Sequence, residues 1–330
     1  MAEKKQQETI LVNGYAYPTI SRETLDAWLV DLTFVSAFSY GFTADGQLII
    51  LDDENITEPA KAAGVEPLMV LTPLDRQGAF NNQLAKSLLE NPQAQETLIA
   101  QISENIRGKG LFGVDFDFEY VFAENRDQYT DLVRRARIKL NEEGYLVTVT
   151  LAPKTSADQK GLLYQGHDYR GMGQAANFVL LMTYEWGYTY GPPMAVAPLN
   201  QVRQVIEYGV TEIPPDQILM GIPNYGYDWK LPFIKGESRA EKISNDEALA
   251  RAAYYGVEVQ FDELVQSPYF YYTDENGIDH VVWFEDARSL RAKLALVSEF
   301  GLAGVSYWNI MNFFQTGSEV LQGMYTVAKV

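Results

Sequence analysis

At 330 residues, the chain carries 26 Lys plus Arg against 44 Asp plus Glu, a formal charge of −18, which repels nucleic-acid phosphates and anionic membrane surfaces and favours neutral or amphoteric partners. It has no cysteine and only two histidines, so disulfides, thiolate metal sites and histidine-rich metal centres are excluded, and no metal or cofactor is expected.

The opening stretch MAEKKQQETI is basic and then polar, without the apolar core of a secretory signal. It reads as a polar leader, residues 1–8, ahead of one domain over 9–330. Provided residue 1 is the native start, the missing signal argues against ordinary secretion. No apolar run reaches the roughly 18 residues that crossing a bilayer takes. Thr9 to Tyr17 reads as a first strand and Leu32 to Tyr40 as a second, with one short helix between them. The Asp45-Gly46 pair marks a turn before a small added strand, Gln47 to Leu51, and a helical stretch then leads to a third core strand, Pro67 to Leu71. A helix around Gln93 to Ile106 places Leu98, Ile99, Ile102 and Ile106 on one face and delivers the chain to the stretch LFGVDFDFEY, Leu111 to Tyr120. Beyond it, Asn125 to Glu143 carries the apolar stripe Tyr129, Leu132, Val133, Ala136 and Leu140, and Gly144 stops the helix. Tyr145 to Ala152, Phe178 to Tyr184, Ile218 to Tyr225 and Gly304 to Ile310 are further strands. They are nearly continuous in apolar residues, as strands buried on both faces should be. A helix from Asp286 to Phe300 precedes the last of them. Eight strands with intervening helices predict a (β/α)8 TIM barrel.

The segment from about 231 to 284 breaks the repeat. It predicts a helix near Asn245 to Tyr255 and a hairpin in which Phe270 to Thr273 and His280 to Phe284 flank an Asn276-Gly277 turn. This is a small α+β insertion between strands seven and eight, expected to form one wall of a groove at the barrel mouth.

In LFGVDFDFEY, the acids Asp115, Asp117 and Glu119 fall at every second position, which on a strand sends all three to one face. Alternating acids usually form the solvated face of an antiparallel sheet. Here the opposite face, Phe112, Val114, Phe116 and Phe118, is wholly apolar and the surroundings are parallel α/β, so the acids are expected in a barrel mouth. Three like charges on a buried face retain at least one proton at neutral pH, which is what a general acid needs. The 13% aromatic content, with 21 Tyr, suits a sugar-stacking groove.

The pattern Gly113, Asp115, Asp117, Glu119 resembles the G-x-D-x-D-x-E signature of glycoside hydrolase family 18, with Phe112 where the family often has Asp. Met182, Thr183, Tyr184 and Glu185 are similar to its M-x-Y-D motif, with Glu185 in place of Asp. Gly221, Pro223, Tyr225 and Gly226 resemble its G-x-P-x-Y-G motif, and Trp308 ends the eighth strand, where the family keeps a Trp under the reacting sugar. The third strand departs from the family: Leu71-Thr72-Pro73-Leu74-Asp75 stands where a serine and paired glycines are usual. GVDFDFEYV, MTYEWG, GPPMAVAPLN, GIPNYGYDW and VWFEDARSL resemble the spore-peptidoglycan branch, the cortex-degrading N-acetylglucosaminidases of endospore-forming bacteria. No LysM wall-binding repeat is visible.

The resemblance implies a retaining hydrolase of N-acetylated glycans, such as peptidoglycan or chitooligosaccharides; separately, the chain is expected to be a monomer. Catalysis is substrate-assisted: Glu119 is acid and then base, Asp117 orients the 2-acetamido group, Asp115 shares a proton with Asp117, and Tyr184 donates to the acetamido oxygen. Trp308 would floor the sugar site. Glu185 binds substrate hydroxyls or pairs with an Arg, and Tyr225 is either wall or contact. Met182 falls in the same motif, and Tyr15, Phe38, Trp186 and Trp229 are candidates from strand-end placement. A chitinase or endo-β-N-acetylglucosaminidase is the alternative enzyme, and a glycan-binding lectin the alternative class, against which stands the retained Glu119. His167 and His280 are expected to be solvated surface imidazoles.

Overall fold

In the computed structural model, which describes residues 7–74 and 80–330, fifteen strands form two sheets. They are β1 (Glu8–Ala16), β2 (Phe34–Phe42), β3 (Leu48–Ile49), β4 (Glu66–Leu71), β5 (Gly113–Phe116), β6 (Leu146–Leu151), β7 (Phe178–Leu181) and β8 (Ile218–Pro223), followed by β9 (Gly226–Lys230), β10 (Glu241–Ile243), β11 (Gln260–Asp262), β12 (Ser267–Thr273), β13 (Asp279–Trp283), β14 (Gly304–Trp308) and β15 (Tyr325–Val327). The larger sheet runs β1-β14-β8-β7-β6-β5-β4-β2 in parallel, and β1 also pairs with β2, so eight strands close into a (β/α)8 barrel. Two short strands hang on its rim: β3 pairs with β2 and β15 with β1. Residues 1–6 and Asp75 lie outside the described residues.

The helices pack outside because their sequences give them one apolar stripe and clean ends. Asn91 caps the helix Pro92–Lys109 by accepting from the Ala94 N–H, Pro92 needs no donor in the first turn, and Gly110 closes it in the left-handed conformation at φ 62°. The helix Arg126–Glu142 buries the expected stripe, Tyr129, Leu132, Val133, Ala136 and Leu140. No helix among the described residues is long and apolar enough to cross a membrane.

The barrel interior is polar toward its N-terminal end, and its groups satisfy one another. Asn13 donates to Ser306 Oγ at 2.9 Å and accepts from Ser36 Oγ at 2.9 Å, and all three are buried. Gly113 fixes how closely β5 approaches β6, since a Cβ there would stand 2.1 Å from the Leu146 carbonyl oxygen.

The smaller, antiparallel sheet has the order β10-β9-β13-β12-β11 and lies in the chain between β8 and β14. It begins at Gly226, five residues ahead of the expected boundary. The apolar run through Tyr225 conceals the turn, but a Cβ on Gly226 would meet the Trp283 carbonyl oxygen at 2.4 Å, so a glycine marks where the chain leaves the barrel. The helix Asn245–Tyr255 forms as expected behind a Ser244 capping box. It is held on the sheet by Ala248 and Ala252 against Phe270 and Phe284, and by Arg251, which pairs with both Asp228 and Glu241.

Both histidines are buried, not solvated. His167 lies between β5 and β6, its Nδ1 accepting the Ala152 N–H at 2.9 Å and its Nε2 2.9 Å from the Phe118 carbonyl oxygen. His280 Nδ1 sits 2.6 Å from Asp228 Oδ1 and 3.1 Å from the Tyr272 hydroxyl. A lone imidazole within an otherwise polar segment looks like surface in the sequence, whereas here each satisfies backbone or carboxylate groups that the fold buries.

Gly113→Ala forces β5 from β6 and is expected to cost about 1–3 kcal/mol of stability, read by urea denaturation. A loss below about 0.5 kcal/mol would contradict the tight strand approach.

Candidate active site

The strand bearing the acids is shorter than its alternation predicts. β5 ends at Phe116, and only the Asp117 N–H, bonded to the Leu71 carbonyl at 2.9 Å, extends the ladder. Side chains hold the next residues. Tyr129 stacks on the Phe118 ring at 5.0 Å, its hydroxyl lies 3.4 Å from the Phe118 N–H, and His167 takes the Phe118 carbonyl. Neutral His167 suits this position, because burial lowers its pKa to about 4 against the opposing effect of the Phe118 hydrogen bond.

The three acids consequently occupy different depths. Asp115 is buried beneath the mouth and fully engaged: Tyr15 donates to its Oδ2 at 2.7 Å, Thr150 to the same oxygen at 3.1 Å, and Thr148 to Oδ1 at 2.6 Å. Burial raises its pKa and these donors pull it back. Asp117 is also buried, yet its Oδ1 has no hydrogen-bond partner among the described residues. Its pKa is raised well above the usual range by burial first, then by Glu119 and Asp115. Glu119 is half-buried, and its pKa is pushed up to about 7 by burial and then by the charge of Glu185. Among the described residues no Lys, Arg or His pairs with any of the three. Like charges held in a poorly solvated space retain protons.

Asp117 and Glu119 open into a cavity of about 530 Å³ at the C-terminal mouth of the barrel. Of the residues expected there from sequence, Tyr15, Met182, Tyr184, Glu185, Trp186 and Trp308 also line it. Asp115, Phe38 and Tyr225 stand behind the wall. Phe38 packs edge-on against Trp308 at 5.1 Å, and Trp308 in turn meets Tyr15 at 5.4 Å. Tyr225 and Tyr227 both donate to Glu185, the latter at 3.0 Å. Glu185 sits at φ 68°, an unfavourable conformation for a residue with a Cβ, and the two phenols fix its carboxylate there. Of the two earlier readings of Glu185, pairing with an Arg is not what the structure shows. Trp229 is buried away from the cavity, donating to the Gly191 carbonyl at 2.9 Å.

The remaining lining includes Tyr120, Tyr164, Tyr188, Tyr227 and Lys242, which sequence reasoning did not select. Tyr120 follows the acidic stretch and Tyr227 the strand-seven motif, so adjacency was a usable signal for those two. Among the described residues, no group of three or more His, Cys, Asp and Glu is arranged to hold a metal ion.

Paired, proton-retaining carboxyl groups in an aromatic cleft at the mouth of a parallel barrel are the arrangement that glycoside hydrolysis uses. The family model for glycosyl hydrolases family 18 matches residues 78–312, and the chain belongs to that family. It is 40% identical over 298 residues to the cortical fragment-lytic enzyme of Bacillus subtilis (strain 168), an alignment that covers 90% of this chain and 69% of that protein. The crystal structure of the Bacillus cereus spore cortex-lytic enzyme SleL matches it with a TM-score of 0.95 and 36% identity, over 99% of this chain and 76% of that one. The corresponding SleL structure from Bacillus megaterium QM B1551 matches with a TM-score of 0.94 and 36% identity, over the same shares.

The raised Glu119 pKa has a stability consequence. The folded state holds a proton that the unfolded state, at the ordinary glutamate value of 4.5, releases. That contribution is complete below the unfolded value and is lost as pH rises through about 7. Glu119→Gln, which cannot ionise, is therefore expected to be more stable than wild type by about 1–3 kcal/mol near pH 8 and indistinguishable near pH 4. Urea denaturation across that range checks it, and parallel stability curves for the two proteins would contradict it.

Proposed function

We propose that the chain is a retaining glycosidase that cleaves β-linked N-acetylglucosamine in spore-cortex peptidoglycan, using the substrate's own 2-acetamido group in place of an enzyme nucleophile. The observation that carries this reading is the pair Asp117 and Glu119 in one cleft, neither of them ion-paired to a Lys, Arg or His among the described residues. The peptidoglycan assignment rests on the relatives, which are named for lysis of cortex or cortical fragments.

The chemistry follows from where the protons are. Glu119, retaining its proton near neutral pH, delivers it to the glycosidic oxygen as the bond to C1 breaks and its electron pair leaves with that oxygen. The acetamido carbonyl oxygen bonds to C1 from the opposite face, giving a cyclic oxazolinium ion. Asp117, with an unpartnered buried oxygen, accepts the acetamido N–H and, as the proton the pair retains shifts to Asp115, carries the negative charge that stabilises the developing cation. Asp115 sits beneath Asp117 and shares its proton inventory, while the donors from Tyr15, Thr148 and Thr150 keep it charged more readily than its neighbour. Tyr184, whose pKa is raised by burial and by four nearby carboxylates, stays protonated and donates to the acetamido oxygen. Trp308 forms the apolar floor. Water then attacks C1, Glu119 takes its proton, and two inversions leave the anomeric configuration retained.

The test is hydrolysis of purified cortex fragments and of chitooligosaccharides by wild type and Glu119→Gln, with products identified by mass spectrometry and their initial anomer by proton NMR. Wild type is expected to release β-anomeric reducing ends at N-acetylglucosamine, and the variant to lose about 10²- to 10⁴-fold in kcat. A variant within about tenfold of wild type would remove Glu119 from the acid role. Activity confined to chitooligosaccharides would make the chain a chitinase instead.

A further inference from the structure

The cleft carries three carboxyl groups, Asp117, Glu119 and Glu185, and among the described residues one Lys or Arg, Lys242. The smaller sheet aims that lysine. In the antiparallel pair β9–β10, Lys242 stands opposite Tyr227 and Glu241 opposite Asp228, and directly opposed residues share a face. Tyr227 and Lys242 therefore look into the cleft together, as both line it. Glu241 and Asp228 look the other way, where Arg251 clamps both and so fixes the two strands against each other. The Lys242 ammonium stands 3.6 Å from the centre of the Tyr225 ring and has no carboxylate partner among the described residues. Glu185, the acid whose charge acts on Lys242, already accepts from the hydroxyls of Tyr225 and Tyr227.

A cation resting on an aromatic ring in a wall of an acidic cleft, in a chain of net charge −18, serves no general attraction for anions. It is suited to one local partner. Resting on the peptidoglycan reading above, the muramyl sugar differs from N-acetylglucosamine by a lactyl ether that ends in a carboxyl group or in a short peptide with its own carboxylate. Chitin has neither. We infer that Lys242 binds a carboxylate of the muramyl side arm and is the residue by which this cleft prefers peptidoglycan to neutral N-acetylglucosamine polymers. The aromatic ring beneath it holds the ammonium in place without neutralising it, and so leaves its charge available to the substrate.

The test uses wild type, Lys242→Met and Lys242→Arg on four defined oligosaccharides: chitotetraose, and muramyl-containing tetrasaccharides whose side arm ends as the lactyl acid, as L-alanine acid, or as neutral L-alaninamide. The quantity read is kcat/KM for each acid relative to the amide. Lys242→Met is expected to lower that ratio at least about tenfold for one of the two acids, chiefly through KM, and Lys242→Arg to restore most of it. The acid that responds names the carboxylate. Ratios unchanged for both acids, with activity falling alike on all substrates, would overturn the inference and assign Lys242 to support of Tyr225 and Glu185. Wild type that cleaves chitotetraose but none of the muramyl substrates would overturn the peptidoglycan reading itself, and this inference with it.

Discussion

The structure turns on three carboxyl groups, Asp115, Asp117 and Glu119, that no Lys, Arg or His pairs with among the described residues. Charge on Asp115, Asp117 and Glu119 is costly in a space closed by Tyr15, Tyr184, Trp308 and the barrel strands, and the fold relieves that cost unevenly. Near the N-terminal end of the barrel, Asn13, Ser36 and Ser306 satisfy one another completely. Asp115 is supplied with donors from three residues, Asp117 keeps an oxygen with none, and Glu119 at the mouth faces another acid, Glu185. Satisfaction thus declines along the barrel axis toward the cleft. Where hydrogen bonding runs out, protons take its place, and a retained proton is what the acid role proposed for Glu119 requires.

Holding such a cluster requires rigidity around it. The backbone after β5 has little ladder of its own, so Tyr129 and His167 from flanking segments grip the Phe118 peptide one residue before Glu119. Gly113 lets β5 lie close enough to β6 for Thr148 and Thr150 to reach Asp115. The smaller sheet adds the far wall: Tyr227 and Lys242 come from it, and Tyr225, at the junction, anchors the strained Glu185. Removing a charge partner from buried groups is usually destabilising. Here the missing partners are the means by which the site holds reactive protons.

Much of this was legible in the sequence because the barrel strands are short apolar runs between turn residues, and the acids interrupt one such run at a period that only a strand explains. The same period hid how far the strand pairing runs. Asp115, Asp117 and Glu119 alternate through residue 119, but pairing stops at Phe116, so their depths differ in a way no alternation reports. The apolar continuity of ILMGIPNYGYDW likewise masked the turn at Gly226, where strand contact and not hydropathy decides. Tyr164, Tyr188 and Lys242 come from a four-residue helix, a loop and a three-residue strand, each too short for a period to single them out. His167 and His280 were misread for a related reason: whether an imidazole is buried depends on which carbonyl or carboxylate the chain brings to it, and those partners lie far away in sequence.

The claim that a proton resides on Glu119 near neutral pH can be observed directly, without turnover or unfolding. In protein carrying ¹³C-carboxyl glutamate, the Glu119 resonance, assigned by its absence in Glu119→Gln, should titrate with a midpoint near about 7, and the midpoint should fall when Glu185 is replaced by Gln. A Glu119 midpoint at the ordinary glutamate value of roughly 4.3, unmoved by Glu185→Gln, would contradict the account and leave the acidic strand without its acid.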